Sequence, residues 1–338
     1  MNFYRPWGHI DWLMGRLGAD GWSLLACAGS EERSTALACH FGRARLDHAR
    51  IVAIRDPEPL DGAELDALLA RRKTELSAAA FAQGEIQDVR LLEGLDEIRS
   101  HVAVLADAGA HRLIIDITSL PKLWFFPMLQ AALDDDRLTD VIATYTSAPR
   151  YAKILSENIG VLRPLPGFFA DDGRTVHDSM IVGIGFESTP LLPLLQDHRA
   201  RKIRLIFPFP PGPPAHRRNW MFVKQIEALT KSEDIDPPDR VHIHMYDCPQ
   251  VFDALVEMTR NGEDSSALAP YGPKTVSLAM CLFSMAVAAR GLARVPVFYA
   301  QPMRYALDYT TGISLRGGAP DCTGYCLRVR NRNLYDLP

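Results

Sequence analysis

The sequence predicts an α/β protein of two tandem Rossmann-like units with mainly parallel sheets, related by internal duplication. Short apolar, β-rich runs alternate with helical patterns of about ten to twenty residues, as in βαβ crossovers. The segment Tyr145–Ala152 returns as Tyr299–Ala306, with Tyr, Arg, Tyr and Ala in the same register. Each copy follows an apolar run, and other landmarks recur in the same order. A length of 338 residues also fits about two domains.

The recurring landmarks are two strands near the start of each half, and a strand followed by Pro-Lys near its end. The first-half segments are Trp22–Ala28, Arg50–Arg55 and Leu113–Ile117 with Lys122, and their counterparts are Met180–Gly185, Lys202–Phe207 and Ala267–Pro270 with Lys274. Apolar residues at helical spacing predict helices between them. These helices are Gly62–Phe81, Leu95–Ala108, Thr189–Asp197, Trp220–Lys231 and Gln250–Arg260, and a buried helix over Val276–Ala288.

The boundary between the units is predicted near residues 165–178, where Pro, Gly and acidic residues separate patterned segments. We therefore expect one Rossmann-like unit over 1–168 and a second, degenerate repeat over 175–338. A second Pro-rich loop, Phe207–Trp220, ends in the basic stretch His216–Trp220, which suits either phosphate contact or plain solvation.

Composition predicts a soluble cytoplasmic protein. The net charge of −4 argues against non-specific nucleic-acid binding, and the six cysteines are sparse and mostly in apolar runs. The N-terminus lacks the pattern of a signal peptide, and the longest apolar stretch is too short to span a membrane. The chain contains no GxGxxG, GxxxxGK[ST], GxSxG or HExxH motif. Dinucleotide dehydrogenases, P-loop NTPases, α/β-hydrolases and zincins are therefore disfavoured, and no cofactor is predicted.

Ligands of open parallel sheets bind outside the carboxyl ends of the strands, so the loops at those ends are the candidate site. In the turn Asp116–Lys122, we expect Thr118 or Ser119 to cap the following helix and Pro121 to occupy its first position. The unpaired N–H groups and Lys122 then attract an anion. The alternative is that this turn merely caps a core helix.

Acidic and small residues follow the first strand of each half. Gly29, Ser30 and Glu31 in the first half, and Glu187 in the second, are candidates for holding a ribose or a phosphate. The alternative is that Glu31 or its neighbour pairs with Arg33 or Arg55 on the surface.

The repeated Tyr-x4-Arg-Tyr motif places an arginine just past the last strand of each half. Arg150 and Arg304 suit phosphate contact, and Tyr145 or Tyr299 is available to stack on a base. The alternative is that the tyrosines pack over helix ends and the arginines bridge the units.

Two short motifs have metal-like spacing. His242 and His244 precede Asp247 and Cys248, and Cys322 and Cys326 form a CxxxC pair. Neither has a second cluster to complete a site, so we expect no metal.

The turn from Asp116 through Thr118 and Ser119 to Lys122 resembles the Asp-x-Thr-x-x-x-Lys motif of the CARF family, the CRISPR-associated Rossmann-fold domains. Members bind cyclic oligoadenylates in a cleft made by two such domains. The resemblance implies that Asp116, Thr118, Ser119 and Lys122 contact the ligand, with Gly29, Ser30 and Glu31 on a neighbouring loop. The usual Gly-Gly after the Thr is Ser119-Leu120 here, and the second half keeps only Gly272-Pro273-Lys274.

These features predict a nucleotide-sensing protein of a prokaryotic antiphage or CRISPR-type defence system, with its ligand in a cleft between the two units. The implied partners are a nucleotide second messenger, or another phosphate-bearing small molecule, and an effector protein or further copies of the chain. One alternative is a metal-independent phosphodiesterase that cleaves the bound nucleotide. Another is a non-catalytic scaffold subunit of a larger complex.

Overall fold

The computed structural model of the chain describes residues 4–57, 59, 61–170, 172–185, 191–197, 199–210, 216–232 and 238–338. The chain divides into two compact units. We call Asn2–Asn158 together with Pro302–Leu334 the split unit, and Ile159–Gln301 together with Tyr335–Pro338 the inserted unit.

The first 158 residues supply most of the split unit. Its helices and strands are β1 (Trp7–His9), α1 (Ile10–Leu17), β2 (Trp22–Ala28), α2 (Ala36–Phe41), β3 (Ala49–Arg55), α3 (Gly62–Ala78), β4 (Ile86–Arg90), α4 (Leu95–Asp107), β5 (Arg112–Asp116), α5 (Lys122–Asp134), β6 (Asp140–Thr146), β7 (Arg150–Tyr151) and the start of β8 (Ser156–Pro164). Short 3-10 turns cover Glu32–Thr35, Arg43–Arg45 and Gln83–Glu85.

A parallel sheet forms the centre of the split unit. Its strands lie in the order β4-β3-β2-β5-β6, and each neighbouring pair runs parallel. Strands β3 and β4 therefore lie on one side of β2, and the later strands β5 and β6 lie on the other. This is the third-second-first-fourth-fifth order of a Rossmann-like sheet, and it confirms the predicted fold class.

The inserted unit has a second parallel sheet. Its helices and strands are β9 (Val176–Gly183), α6 (Leu191–Asp197), β10 (Arg199–Phe209), α7 (His216–Ser232), β11 (Asp239–His244), α8 (Cys248–Met258), β12 (Ser266–Pro270), α9 (Lys274–Ala289) and the first half of β13 (Phe298–Tyr305). The strand order is β11-β10-β9-β12, all parallel, and a parallel bridge joins Leu268 to Val297 just before β13. Both sheets thus share one order, while internal duplication itself stays a prediction.

The C-terminal segment returns to the split unit. It contains β14 (Thr310–Thr311), β15 (Leu315–Arg316), β16 (Ala319–Pro320), β17 (Cys322–Val329) and β18 (Arg332–Asn333). Strand β17 pairs antiparallel with β6, β1 and β18. This pairing assigns residues 302–334 to the split unit, which differs from the predicted second range of 175–338. The chain passes between the units within β8 and β13, which pair with each other.

Apolar helices pack on each sheet. Helix α5 buries Leu123 to Leu129 without a break, and α9 buries Thr275 to Ser284 in the same way. The sequence prediction of a buried helix over Val276–Ala288 is therefore confirmed. Within the described part of the chain, no helix combines the length and the apolarity needed to cross a membrane.

A buried histidine joins helices α4 and α5 of the split unit. His101 is 1% exposed, and its ring lies 5.7 Å from that of Trp124. Arg50 Nε donates to His101 Nδ1 at 3.1 Å, and His101 Nε2 has no hydrogen-bond partner among the described residues. Burial and, to a smaller extent, the positive charge of Arg50 lower the pKa of His101 to about 4, against the opposing effect of Glu93. The ring is therefore neutral in the folded protein at pH 7.

We expect the split unit to lose stability as the pH falls from 6.5 towards 4. The unfolded chain protonates His101 near its ordinary pKa of 6.5, whereas the folded protein resists protonation until about pH 4. Protonation of the unfolded chain therefore lowers the free energy of unfolding by up to about 3 kcal/mol between pH 6.5 and pH 4. Urea unfolding at several pH values measures the effect. The His101→Gln variant is the control, because it cannot titrate; equal pH slopes for the two proteins would contradict the prediction.

Candidate functional site

The loops that follow β2 and β5 meet at the carboxyl edge of the split unit's sheet. These strands are neighbours, and the order of the sheet reverses between them. Ser119 Oγ, after β5, donates to Glu31 Oε1, after β2, at 3.1 Å. A Cβ placed on Gly29 would lie 3.6 Å from the Ser119 Cβ, which is ordinary van der Waals contact and shows that the two loops lie close together. Gly29, Glu31 and Ser119 therefore lie together, with the half-buried Ser30 beside them in the same loop.

A buried ion pair forms the centre of this edge. Arg33 is 1% exposed, and its Nε and Nη2 both lie 2.9 Å from Glu31 Oε2. Its Nη1 donates to the Tyr145 hydroxyl at 2.8 Å and to the Thr146 carbonyl at 3.0 Å. Burial lowers the pKa of Arg33, but Glu31 and the nearby tyrosines outweigh burial and hold that pKa well above its ordinary value. The guanidinium is therefore fixed as a cation.

The prediction of a surface pair with Arg33 was right about the partner and wrong about the burial. The short 3-10 turn after β2 turns Arg33 inward beneath β6, where Glu31 neutralises it. Arg55 instead pairs with Asp66 at 2.6 Å, and both of those side chains are about half exposed. From the sequence, Arg33 was expected only as a surface partner of Glu31, and not as a buried residue of this edge.

Two further segments reach the same carboxylate and guanidinium. Thr310 Oγ1, in β14, donates to Glu31 Oε2 at 2.6 Å. The hydroxyl of Tyr151, in β7, lies 2.8 Å from that of Tyr145 and 3.5 Å from Arg33 Nη1. Residues that follow β2, β5 and β6 therefore share one polar network with a strand from the C-terminal segment.

Asp116 and Thr118 fix the turn after β5. Both are buried, and the Thr118 N–H donates to Asp116 Oδ1 at 3.1 Å, while its hydroxyl donates to the same oxygen. Thr144 Oγ1 lies 3.3 Å from that oxygen, and the Thr146 N–H donates to Thr118 Oγ1 at 2.8 Å. These bonds tie the end of β5 to β6. A ligand contact by either residue stays a prediction.

Lys122 is the first residue of α5, and Lys274 is the first residue of α9. Each follows a proline with the same extended geometry, with φ −58° and ψ 155° at Pro121 and φ −52° and ψ 154° at Pro273. The predicted capping by Thr118 or Ser119 is wrong, because α5 has no side-chain cap. The prediction that Pro121 opens the helix is wrong by one residue. Both lysines are half-buried at the carboxyl edge of their sheet.

The other candidates are more scattered. Arg150 is exposed in β7. Arg304 Nη1 lies 3.5 Å from Glu157 Oε2, so these two side chains form an ion pair. Tyr299 is buried in the inserted unit with its ring 5.4 Å from that of Tyr271, and burial raises its pKa. It therefore packs in the core rather than offering a face for stacking. Glu187 lies outside the described residues.

The metal-like motifs have structural contacts. His242 packs 4.9 Å from Phe207, and Asp247 accepts from the Gln250 N–H at 2.9 Å to cap α8. Cys322 and Cys326 are buried in β17, and burial raises the pKa of Cys326 to about 12. No group of His, Cys, Asp or Glu in the described ranges has an arrangement that would hold a metal ion. The basic stretch 216–220 lies at the start of α7, and the preceding residues 211–215 are outside the described part.

No protein-family model and no curated protein matches the chain. Among solved structures, a protein of unknown function from Pseudomonas aeruginosa PAO1 aligns at 8% identity and a TM-score of 0.24, over 86% of this chain and 95% of that one. A branched-chain phosphotransacylase from Enterococcus faecalis V583 aligns at 11% and 0.17, over 81% and 90%. A short-chain dehydrogenase/reductase-like protein from Sinorhizobium meliloti 1021 aligns at 12% and 0.20, over 82% and 96%. These similarities are too low to support any argument about function, and the resemblance to CARF domains stays a prediction.

Proposed function

We propose that the protein is a nucleotide sensor of prokaryotic defence type that binds a phosphate-bearing nucleotide at the carboxyl edge of the split unit's sheet. The observation that carries this proposal is the meeting of the loops after β2 and β5, joined by Ser119 and Glu31. The strand order reverses between these two strands, and such a reversal is where open α/β sheets bind their ligands.

The chemistry of this edge favours an anionic group on the ligand. The positive charge of Arg33 is balanced by Glu31. A second positive charge, that of Lys122, follows the β5 turn at the start of α5. The N-terminal N–H groups of α5 point towards the same edge, and the helix dipole favours negative charge there. Gly29 and Ser30 leave the neighbouring loop small enough for a phosphate to approach its backbone. The output of the sensor would pass through an effector protein or another copy of the chain.

We expect Lys122→Ala to weaken nucleotide binding by about 10- to 100-fold, because it removes one charged hydrogen bond to phosphate. Thermal shift with a panel of linear and cyclic adenylates, guanylates and uridylates identifies the ligand in the wild-type protein. The same titration with the variant gives the change in affinity. The control is Lys73→Ala in the same unit, because Lys73 pairs with Asp88 on the surface and should not affect binding.

The outcomes of this titration separate the candidate functions. A nucleotide recovered intact by mass spectrometry supports a sensor, and a cleaved one supports the phosphodiesterase. If no nucleotide of the panel raises the Tm, or if the wild-type protein and Lys122→Ala bind with equal affinity, binding at this edge is overturned. The Lys274→Ala variant reports separately whether the inserted unit contributes.

A further inference from the structure

Three half-buried tyrosines, Tyr151, Tyr305 and Tyr309, lie against each other in the split unit, and we call them the tyrosine group. The ring of Tyr309 lies 6.5 Å from that of Tyr151 at an interplanar angle of 67°, and 6.1 Å from that of Tyr305 at 63°. Tyr309 is therefore the central ring, and both neighbours meet it edge to face. All three side chains are partly exposed, and in an edge-to-face pair the two rings do not cover each other's faces as stacked rings do.

The tyrosine group is fixed to the carboxyl edge of the sheet. Thr310, next to Tyr309, donates to Glu31 Oε2 at 2.6 Å, and the other oxygen of that carboxylate accepts from Ser119 at 3.1 Å. The Tyr305 N–H donates at 2.9 Å to Asp56 Oδ2, just after β3. The Glu31 carboxylate thus links Thr310, the neighbour of Tyr309, to Ser119 in the loop that leads to Lys122.

Backbone hydrogen bonds hold the group in place from the other side. Strand β14 pairs antiparallel with β7, and the Ala152 N–H donates to the Tyr309 carbonyl at 3.1 Å. The Tyr309 N–H in turn donates to the Ala306 carbonyl at 3.0 Å. The rings are therefore positioned before any ligand arrives, which reduces the entropic cost of stacking on them.

The charge beside the group decides between the two kinds of ligand that aromatic rings bind. Aromatic side chains bind either organic cations or flat uncharged rings. The Arg33 guanidinium already lies 5.2 Å from the Tyr145 ring and 5.5 Å from the Tyr151 ring. Arg33, whose charge Glu31 balances, therefore already occupies the cation position over the Tyr151 ring, and a flat neutral nucleobase fits the group better than a second cation.

We propose that Tyr151, Tyr305 and Tyr309 form the base-stacking surface of the site, with Tyr309 making the main contact. This inference rests on the proposed nucleotide binding and deepens it: it assigns the base to these rings, and not to Tyr145 or Tyr299. Stacking accepts any base, because every base has an aromatic face. Discrimination between bases therefore comes from other contacts, and the tyrosine group selects for the presence of a base.

The test compares adenosine 5′-monophosphate with ribose 5-phosphate, which lacks only the base, and adds the tightest ligand of the thermal-shift panel. Isothermal titration gives the Kd of each for the wild-type protein and for Tyr309→Ala, Tyr309→Phe and Lys122→Ala. We expect Tyr309→Ala to weaken binding of the base-bearing ligands by about 5- to 100-fold and to leave ribose 5-phosphate unchanged. Tyr309→Phe keeps the ring and should keep the affinity.

The variants separate this inference from the proposal on which it rests. If Lys122→Ala weakens nucleotide binding and Tyr309→Ala leaves it within twofold, the stacking surface is wrong and the phosphate site stands. If the wild-type protein binds no nucleotide, both are overturned. A Tyr309→Ala protein that fails to fold is replaced by Tyr305→Ala, which removes an outer ring of the group, and an unchanged nucleotide affinity there would count against the inference.

Discussion

Replacing Arg33 with methionine should lower the free energy of unfolding of the split unit by about 3 to 5 kcal/mol. Methionine fills much of the volume of arginine but removes the positive charge. Glu31, whose side chain is only 11% exposed, would then lack its counter-charge, and the Tyr145 hydroxyl and Thr146 carbonyl would lose a donor. The loss is large because water cannot replace these partners in a buried position. Urea unfolding of the wild-type and variant proteins measures it.

Two further variants show whether the loss comes from a buried pair. Arg55→Ala breaks a half-exposed pair with Asp66 in the same unit, and it should cost less than about 1 kcal/mol. The double variant Arg33→Met, Glu31→Gln should be more stable than Arg33→Met alone, because no uncompensated charge remains. A cost for Arg33→Met as small as that for Arg55→Ala would show that the pair is not buried in solution.

Replacing Gly185 with alanine should destabilise the inserted unit by about 3 kcal/mol, at the upper end of what overpacking costs. A Cβ at this position would overlap the Tyr271 carbonyl oxygen and lie 2.8 Å from its carbon. Tyr271 cannot easily move away, because its N–H donates to Ala269 at 3.0 Å and its hydroxyl accepts from the Ala300 N–H at 3.1 Å. Hydrogen exchange of the amides in β12 reports the loss of protection in this unit.

Gly291→Ala is a clash-free comparison for Gly185→Ala in the same unit. Gly291 has a positive φ of 69°, and an added Cβ there would meet nothing within 4 Å. Its substitution measures the backbone cost alone, about 1 kcal/mol, without a steric clash. Equal effects of the two substitutions would mean that the loops after β9 and β12 separate readily.

Local patterns in the sequence predicted much of the fold. The apolar runs at β2, β3 and β5 and the helical spacing in α3 and α4 are properties of adjacent residues, and they appear where expected. The sequence also predicted that Glu31 and Ser119 lie at one edge of the sheet, because the carboxyl ends of neighbouring parallel strands lie side by side.

The contacts that complete the site were not predictable in this way. Arg33 follows two glutamates in the sequence and has the local pattern of a surface charge cluster, and its burial depends on Tyr145 from a distant strand. Thr310 and Tyr309 reach Glu31 and Tyr151 from the far end of the chain. Pairing across such separations is set by the packing of the whole unit, and periodicity within a short window contains no information about it.

The return of β17 to the first sheet has a consequence for synthesis. Ribosomes make β6 long before β17, and residues Ile159–Gln301 of the inserted unit emerge in between. During that interval β6 has an unpaired edge and Glu31 lacks its Thr310 partner, while the inserted unit already has almost all of its residues. Domains usually fold as units while the chain emerges, so we expect the inserted unit to fold first. The split unit, whose synthesis begins first, would then be the second of the two to fold.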